Sequence, residues 1–110
     1  MKFAIPLAEG KLTAHFGHCH EFALVEVEDN QIKSKETLVP PPHEPGVLPK
    51  WLHDLGTNVI IAGGMGAMAQ NLFAQNDIKV IVGASALTPE ELVKQYLDNA
   101  LTTGDNLCDH

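Results

Sequence analysis

The chain has 110 residues, 45% of them apolar, which suits one domain with one core and is too apolar for a disordered polymer. Seven lysines, no arginine and fourteen acidic residues leave a net charge of −7, which argues against general nucleic-acid binding and against an anionic membrane as partner. No apolar run is long enough to span a bilayer, and Pro6 and Glu9 break the N-terminal stretch before a leader core can form, so a cytoplasmic protein is expected.

The elements follow in order. Lys2–Pro6 is a first strand. Glu21–Val27 is a second, with Phe22 and Leu24 on one face and Ala23, Val25 and Val27 on the other. Asp29–Asn30 supplies a hairpin turn, and Gln31–Leu38 returns as a third strand with Lys33 and Lys35 on one face, charges that blunt an exposed edge. The prolines of PPPHEPG mark a stiff loop. Val47–Leu55 carries a helical stripe that Gly56 stops. Asn58–Ala62 is a continuous apolar run, as in a strand covered on both faces. Gly66–Asn76 is helical, burying Met68, Ala69, Leu72 and Phe73, and Ile78–Val82 is another buried strand.

Thr88 at the N-cap, Pro89 at the first helical position and Glu91 three residues past the cap open a last helix. Leu92, Val93, Tyr96, Leu97 and Leu101 line its apolar face. The expected unit is a single α/β domain over residues 1–102, followed by a loose tail over 103–110. Three antiparallel strands and then alternating helices and strands imply a mixed five-stranded sheet of order 3-2-1-4-5. Helices cover its faces in a three-layer, ribonuclease H-like arrangement.

Four soft or borderline donors fall within six residues after the first strand: His15, His18, Cys19 and His20. Imidazole and thiolate suit zinc, iron, copper or an iron–sulfur cluster, and Gly17 lets the segment turn tightly. The alternative is an exposed polar loop that binds nothing. The spacing fits no standard zinc signature. Gly63-Gly64-Met65-Gly66 follows a buried strand and opens a helix, where backbone amides can hold an anion. It is neither GxGxxG nor a P-loop, and close packing of helix on strand would also explain its glycines. Gly83-Ala84-Ser85 follows the next strand and could add backbone donors. Cys108 and His110 end the chain as a second pair of possible ligands. The two cysteines lie far apart, and free thiols or metal ligands are expected rather than a disulfide.

Topology sorts these candidates. The His15–His20 loop, the GGMG turn and Gly83–Ser85 all follow the C-terminal ends of parallel strands, the edge where open α/β sheets bind ligands. His43, in the proline loop, should join them, whereas His53 should sit on the surface at the opposite edge. The last helix leads away from the site for about 20 Å. Seven extended steps from Leu101 cover at most about 25 Å, so Cys108 just reaches back or meets a neighbouring subunit.

HFGHCHEF, NVIIAGGMG, IKVIVGAS and the terminal CDH, in this order along nearly the whole chain, resemble the dinitrogenase iron–molybdenum cofactor biosynthesis family. That family includes NifX-type carriers and the C-terminal domain of NifB-type proteins. The resemblance implies a ribonuclease H-like fold and, in its best-understood members, binding of iron–sulfur or iron–molybdenum clusters and their precursors. Cofactor-assembly proteins would then be the partners.

Three functions compete. The first is a non-enzymatic carrier of a metal cluster, with Cys19 as leading ligand and the loop histidines as ligands or supporting donors. The second is a small hydrolase. Ribonuclease H chemistry needs carboxylates starting on the first strand, and Lys2–Pro6 has none. A Cys19–histidine pair has no third, orienting residue that can be named. The third is a regulatory or scaffold domain that binds a partner protein without a cluster.

Overall fold

Phe3–Leu7, the most apolar stretch of the N-terminal third, forms the middle of the sheet. It belongs to β1 (Lys2–Ala8), and all five of its residues are buried. The computed structural model describes residues 1–13, 20–42 and 46–101.

After β1 come β2 (Lys11–Leu12), β3 (Glu21–Glu28) and β4 (Gln31–Leu38), then α1 (Val47–Asp54), β5 (Val59–Ile61), α2 (Ala67–Gln75), β6 (Lys79–Ile81) and α3 (Pro89–Leu97). The main path of the sheet runs β4-β3-β1-β5-β6. β3 and β4 add antiparallel to one side of β1, and β5 and β6 add parallel to the other. The order of the five strands on this path is therefore the expected one. The count is not: among the described residues the sheet has six strands, because β2 folds back on β1 and pairs Leu7 with Leu12 and Ala8 with Lys11. The hairpin turns through Glu9 and Gly10, both at positive φ (56° and 83°). A primed two-residue turn has this conformation and matches the twist of the strands it joins.

Alternation along β1 assigns the two cores. Phe3, Ile5 and Leu7 pack with Ala23, Val25, Val27, Leu92 and Val93 beneath α3. Ala4 lies in the other layer with Phe22, Leu24, Leu48, Leu52 and Phe73 beneath α1 and α2. A strand buried on both faces must be apolar at consecutive positions, which is why periodicity alone is silent there. Ring contacts extend both layers: Tyr96 meets Phe3 edge-on at 5.1 Å, and Trp51 meets Phe22 at 5.8 Å.

Several local expectations hold. Asp29 and Asn30 both adopt positive φ in the β3–β4 turn. Gly56 ends α1 at φ 87°, with the Gly56 N–H donating to the His53 carbonyl and the Thr57 N–H to the Leu52 carbonyl. Others change. A bulge in the β3–β4 ladder pairs Glu26 with Ser34 and Val27 with Ile32, leaving Lys33 as the extra residue and breaking its alternation with Lys35. The two lysines go separate ways, Lys33 to Glu28 at 3.7 Å and Lys35 to Glu90 at 2.9 Å. Met68, expected in the core, is 72% exposed. It sits in the first turn of α2, about 90° round the helix from the mean direction of Ala69, Leu72 and Phe73.

At α3 the Thr88 hydroxyl accepts from the Glu91 N–H at 3.4 Å and donates to the Glu91 carboxylate at 2.8 Å. The glutamate thus closes on the capping hydroxyl. Thr88→Ala should cost about 1 kcal/mol in urea unfolding. Thr57 presents the opposite case: its Oγ1 is buried without a hydrogen-bond partner among the described residues. Thr57→Val should leave stability unchanged or raise it by up to about 1 kcal/mol, because a desolvated hydroxyl is removed.

Candidate functional site

β1, β5 and β6 run parallel, so their C-terminal ends share one edge of the sheet. β4 points the same way, since it is antiparallel to β3 and β3 to β1. Leu38, Phe22 and Pro6 are partners in one row across the sheet, which places the end of β4 level with the end of β1. All three helices begin at this edge too, each following a strand or loop that ends there.

The expected donor segment is tied to this edge at both ends. The Thr13 N–H donates to the Pro6 carbonyl at 3.0 Å, and the His20 N–H donates to the Leu7 carbonyl at 2.8 Å. Consecutive carbonyls of a strand point to opposite sides, so Thr13 and His20 flank β1. Two strand spacings, about 10 Å, separate residues placed in this way. Pro6 is admitted to a central strand for a related reason. Parallel pairing with β5 stops at Ala4–Ile60, and beyond it this side of β1 takes up only the two-residue β2 and the chain that follows it at Thr13.

His20 is exposed. His15, His18 and Cys19 lie outside the described residues, as do His43, Cys108, His110 and the expected tail. Among the described residues no three histidine, cysteine, aspartate or glutamate side chains converge on a common point. His53 lies where expected, exposed at the far edge, with its Nδ1 2.9 Å from the Asn76 carbonyl.

The two glycine-containing turns are stitched together. The Gly83 N–H donates to the Gly63 carbonyl at 2.6 Å, and the Ala84 N–H to the Ala62 carbonyl at 3.1 Å. Two of the three amides expected to serve a ligand at Gly83–Ser85 are thereby consumed, and Ser85, which is exposed, keeps only its own. The Leu87 N–H bonds the Ser85 carbonyl, and the Leu87 carbonyl accepts from Leu12, fastening the last turn to the β1–β2 hairpin.

Gly63 and Gly64 are buried, and Gly66 is half-buried at the N-cap of α2. The Gln70 side-chain amide donates to the Met65 carbonyl at 2.8 Å, holding the turn to its helix. Close packing does not explain Gly66. Its φ is −66°, and a Cβ there would meet nothing within 4 Å. Neither α1 nor α2 has a side-chain cap, so the positive ends of both helix dipoles face this edge without one.

The family model for the dinitrogenase iron–molybdenum cofactor matches residues 1–99. The chain belongs to this family. Among its relatives, an uncharacterized protein of Methanocaldococcus jannaschii, MJ0580, is 33% identical over 106 residues, which is 92% of this chain and 89% of that one. In three dimensions the chain is similar to the crystal structure of PH0822, with a TM-score of 0.86, 26% identity and 94% of each chain covered. It is also similar in fold to the apo form of the orange protein from Desulfovibrio gigas, with a TM-score of 0.75, 21% identity and 96% and 93% covered. The family match spans the donor segment, both glycine turns and all three helices.

Because Gly66 has open space and an ordinary backbone, a serine there would supply the missing cap. Gly66→Ser should leave the fold intact and change stability by no more than a few tenths of a kcal/mol, read by thermal unfolding. A loss above about 1 kcal/mol would show that packing requires the glycine.

Proposed function

We propose that the protein is a binding and carrier module for an iron–sulfur or iron–molybdenum-type cluster or its precursor, and that it does not catalyse a reaction. The observation that carries this reading is the double attachment of the donor segment. Counted along the chain, His15 is two residues from anchored Thr13, His18 is two from anchored His20, and Cys19 is next to His20. The segment that owns these sulfur and imidazole donors is thus attached at Thr13 and His20 to one rim, where the uncapped ends of α1 and α2 favour negative charge. A thiolate-ligated cluster carries such charge.

The donor chemistry fits this cargo. Cys19 would supply a thiolate, and His15, His18 and His20 would ligate or hydrogen-bond the cluster; His43, Cys108 and His110 are further candidates. A carrier has to release what it holds, and a few ligands on one short segment permit exchange where a closed four-ligand cage would not. Membership of the iron–molybdenum cofactor family supports the class of cargo. The strand order supports a ribonuclease H-like reading of the fold, but β1 (KFAIPLA) offers no carboxylate for that chemistry.

Anaerobic reconstitution with iron and sulfide should give visible absorbance that gel filtration does not remove. Cys19→Ala should lower the bound iron several-fold, whereas His53→Ala, at the opposite edge, should leave it unchanged. Colourless wild-type protein, or equal loss in both variants, would refute the assignment.

A further inference from the structure

β6 ends the sheet path and is less covered than its neighbour. Val59, Ile60 and Ile61 are all buried, whereas Lys79 is exposed and Val80 and Ile81 are half-buried. The Lys79 N–H donates to the Asn58 carbonyl, and the Ile81 carbonyl accepts from the Ala62 N–H, so both residues turn backbone groups towards the β5 side. Alternation then turns the N–H and carbonyl of Val80 outward, to the side of β6 where no described strand pairs. Between β6 and α3 lies a groove of about 370 Å³, lined by Lys79, Ile81, Tyr96, Asn99 and Leu101.

The chain itself turns into this groove. Asn99 takes positive φ (56°) at the end of α3; its N–H donates to the Tyr96 carbonyl and the Ala100 N–H to the Gln95 carbonyl, a Schellman closure that ends the helix. Leu101 then packs, with Ile81 and Tyr96, against the core cluster beneath α3, and it lines the groove. Nine residues follow it. A segment that starts inside a groove meets it at far higher effective concentration than a separate molecule does. Thr102 and Thr103 are β-branched and suit an edge strand. Lys79, the one charged residue of the lining, is opposite in sign to Asp105 and Asp109 of that segment.

We propose that residues 102–110 are seated on the open side of β6 and run parallel to it, which brings Cys108 of the same chain to the rim where the donor segment is attached. β6 points from Lys79 towards that rim, and the steps from Lys79 to Gly83 rise about 13 Å. The extended chain from Leu101 to Cys108 covers up to about 25 Å, enough to reach Gly83–Ser85. The seat itself stands on the groove and the strand edge; only the use of Cys108 as a ligand rests on the carrier reading.

Amide exchange of the full chain, without iron, reads the seat at one atom. The Val80 N–H should exchange at least tenfold more slowly than in a chain ending at Leu101. Thr102→Pro combined with Thr103→Pro removes whichever of these two N–H groups faces β6. The double variant should speed Val80 exchange to the truncated rate and leave the Ile81 N–H, inside the β5–β6 ladder, unchanged. A spin label on Cys108 in Cys19→Ser protein should broaden the amide signals of Gly83–Ser85. An isotope-labelled copy without the spin label, mixed with it, should show no broadening.

Equal Val80 exchange in the full and truncated chains would overturn the proposal. So would broadening in the mixed sample alone, which would seat the segment on a second copy. Slow Val80 exchange in protein that stays colourless with iron and sulfide leaves the seat standing without the cargo.

Discussion

Two hydrogen bonds at the end of β1 govern the rest of the molecule's functional end. The carbonyls of Pro6 and Leu7 take the amides of Thr13 and His20 from opposite sides, so the chain is fixed to β1 once after its hairpin and again at His20. This needs β1 to be firmly held, and burial on both faces holds it. Its side chains alternate between two separate cores, Phe3, Ile5 and Leu7 in one and Ala4 in the other, and every residue from Phe3 to Leu7 is buried. Each buried Phe, Leu or Ile side chain contributes about 1.5–3 kcal/mol, so the strand that anchors the donor segment is also among the costliest to displace.

The parallel half of the sheet serves the same edge by another route. Parallel strands require crossover helices, and a crossover helix starts where its strand ends. α2 follows β5, α3 follows β6, and α1 follows the loop after β4, so three helix N-termini gather at one rim. Two begin at glycine without a side-chain cap, while the third is capped by Thr88. The cross-links from Gly83 to Gly63, Ala84 to Ala62 and Leu12 to Leu87 make the rim one continuous frame. That frame has a cost, because amides spent on the frame are no longer available to a ligand, as at Gly83 and Ala84.

Stability and function therefore divide along the strand axis. The far edge carries conventional terminations: Gly56 closes α1, Lys2 donates from its side chain to the Leu55 carbonyl, and His53 meets the Asn76 carbonyl. The near edge carries the two anchors of the donor segment, Thr13 and His20, together with uncapped helices and exposed apolar residues that fold stability does not require. Features without a packing role concentrate at one end.

Much of this was legible in the chain itself. Apolar residues on both faces marked β3, a continuous apolar run marked β5, and Thr88-Pro89-Glu91 fixed the start of α3, because these signals depend only on neighbours in sequence; Ile78–Val82 has the composition of a buried strand, yet β6 ends the path of the sheet, with Lys79 exposed and Val80 and Ile81 half-buried. The order of the strands on the main path followed from connection rules, and with it the edge that gathers the donor segment and the glycine turns. Tertiary structure alone decided the rest. β2 is two residues long, too short to show any alternation, and its Glu9–Gly10 turn is a weaker signal than the Asp29–Asn30 turn. Met68 has the composition of a core residue, and only its angle on α2 exposes it. Which amides at Gly83–Ser85 remain for a ligand depends on partners some twenty residues earlier in the chain. Sequence specifies which groups a segment owns; which of them are already spent is settled by whatever distant backbone the fold brings alongside.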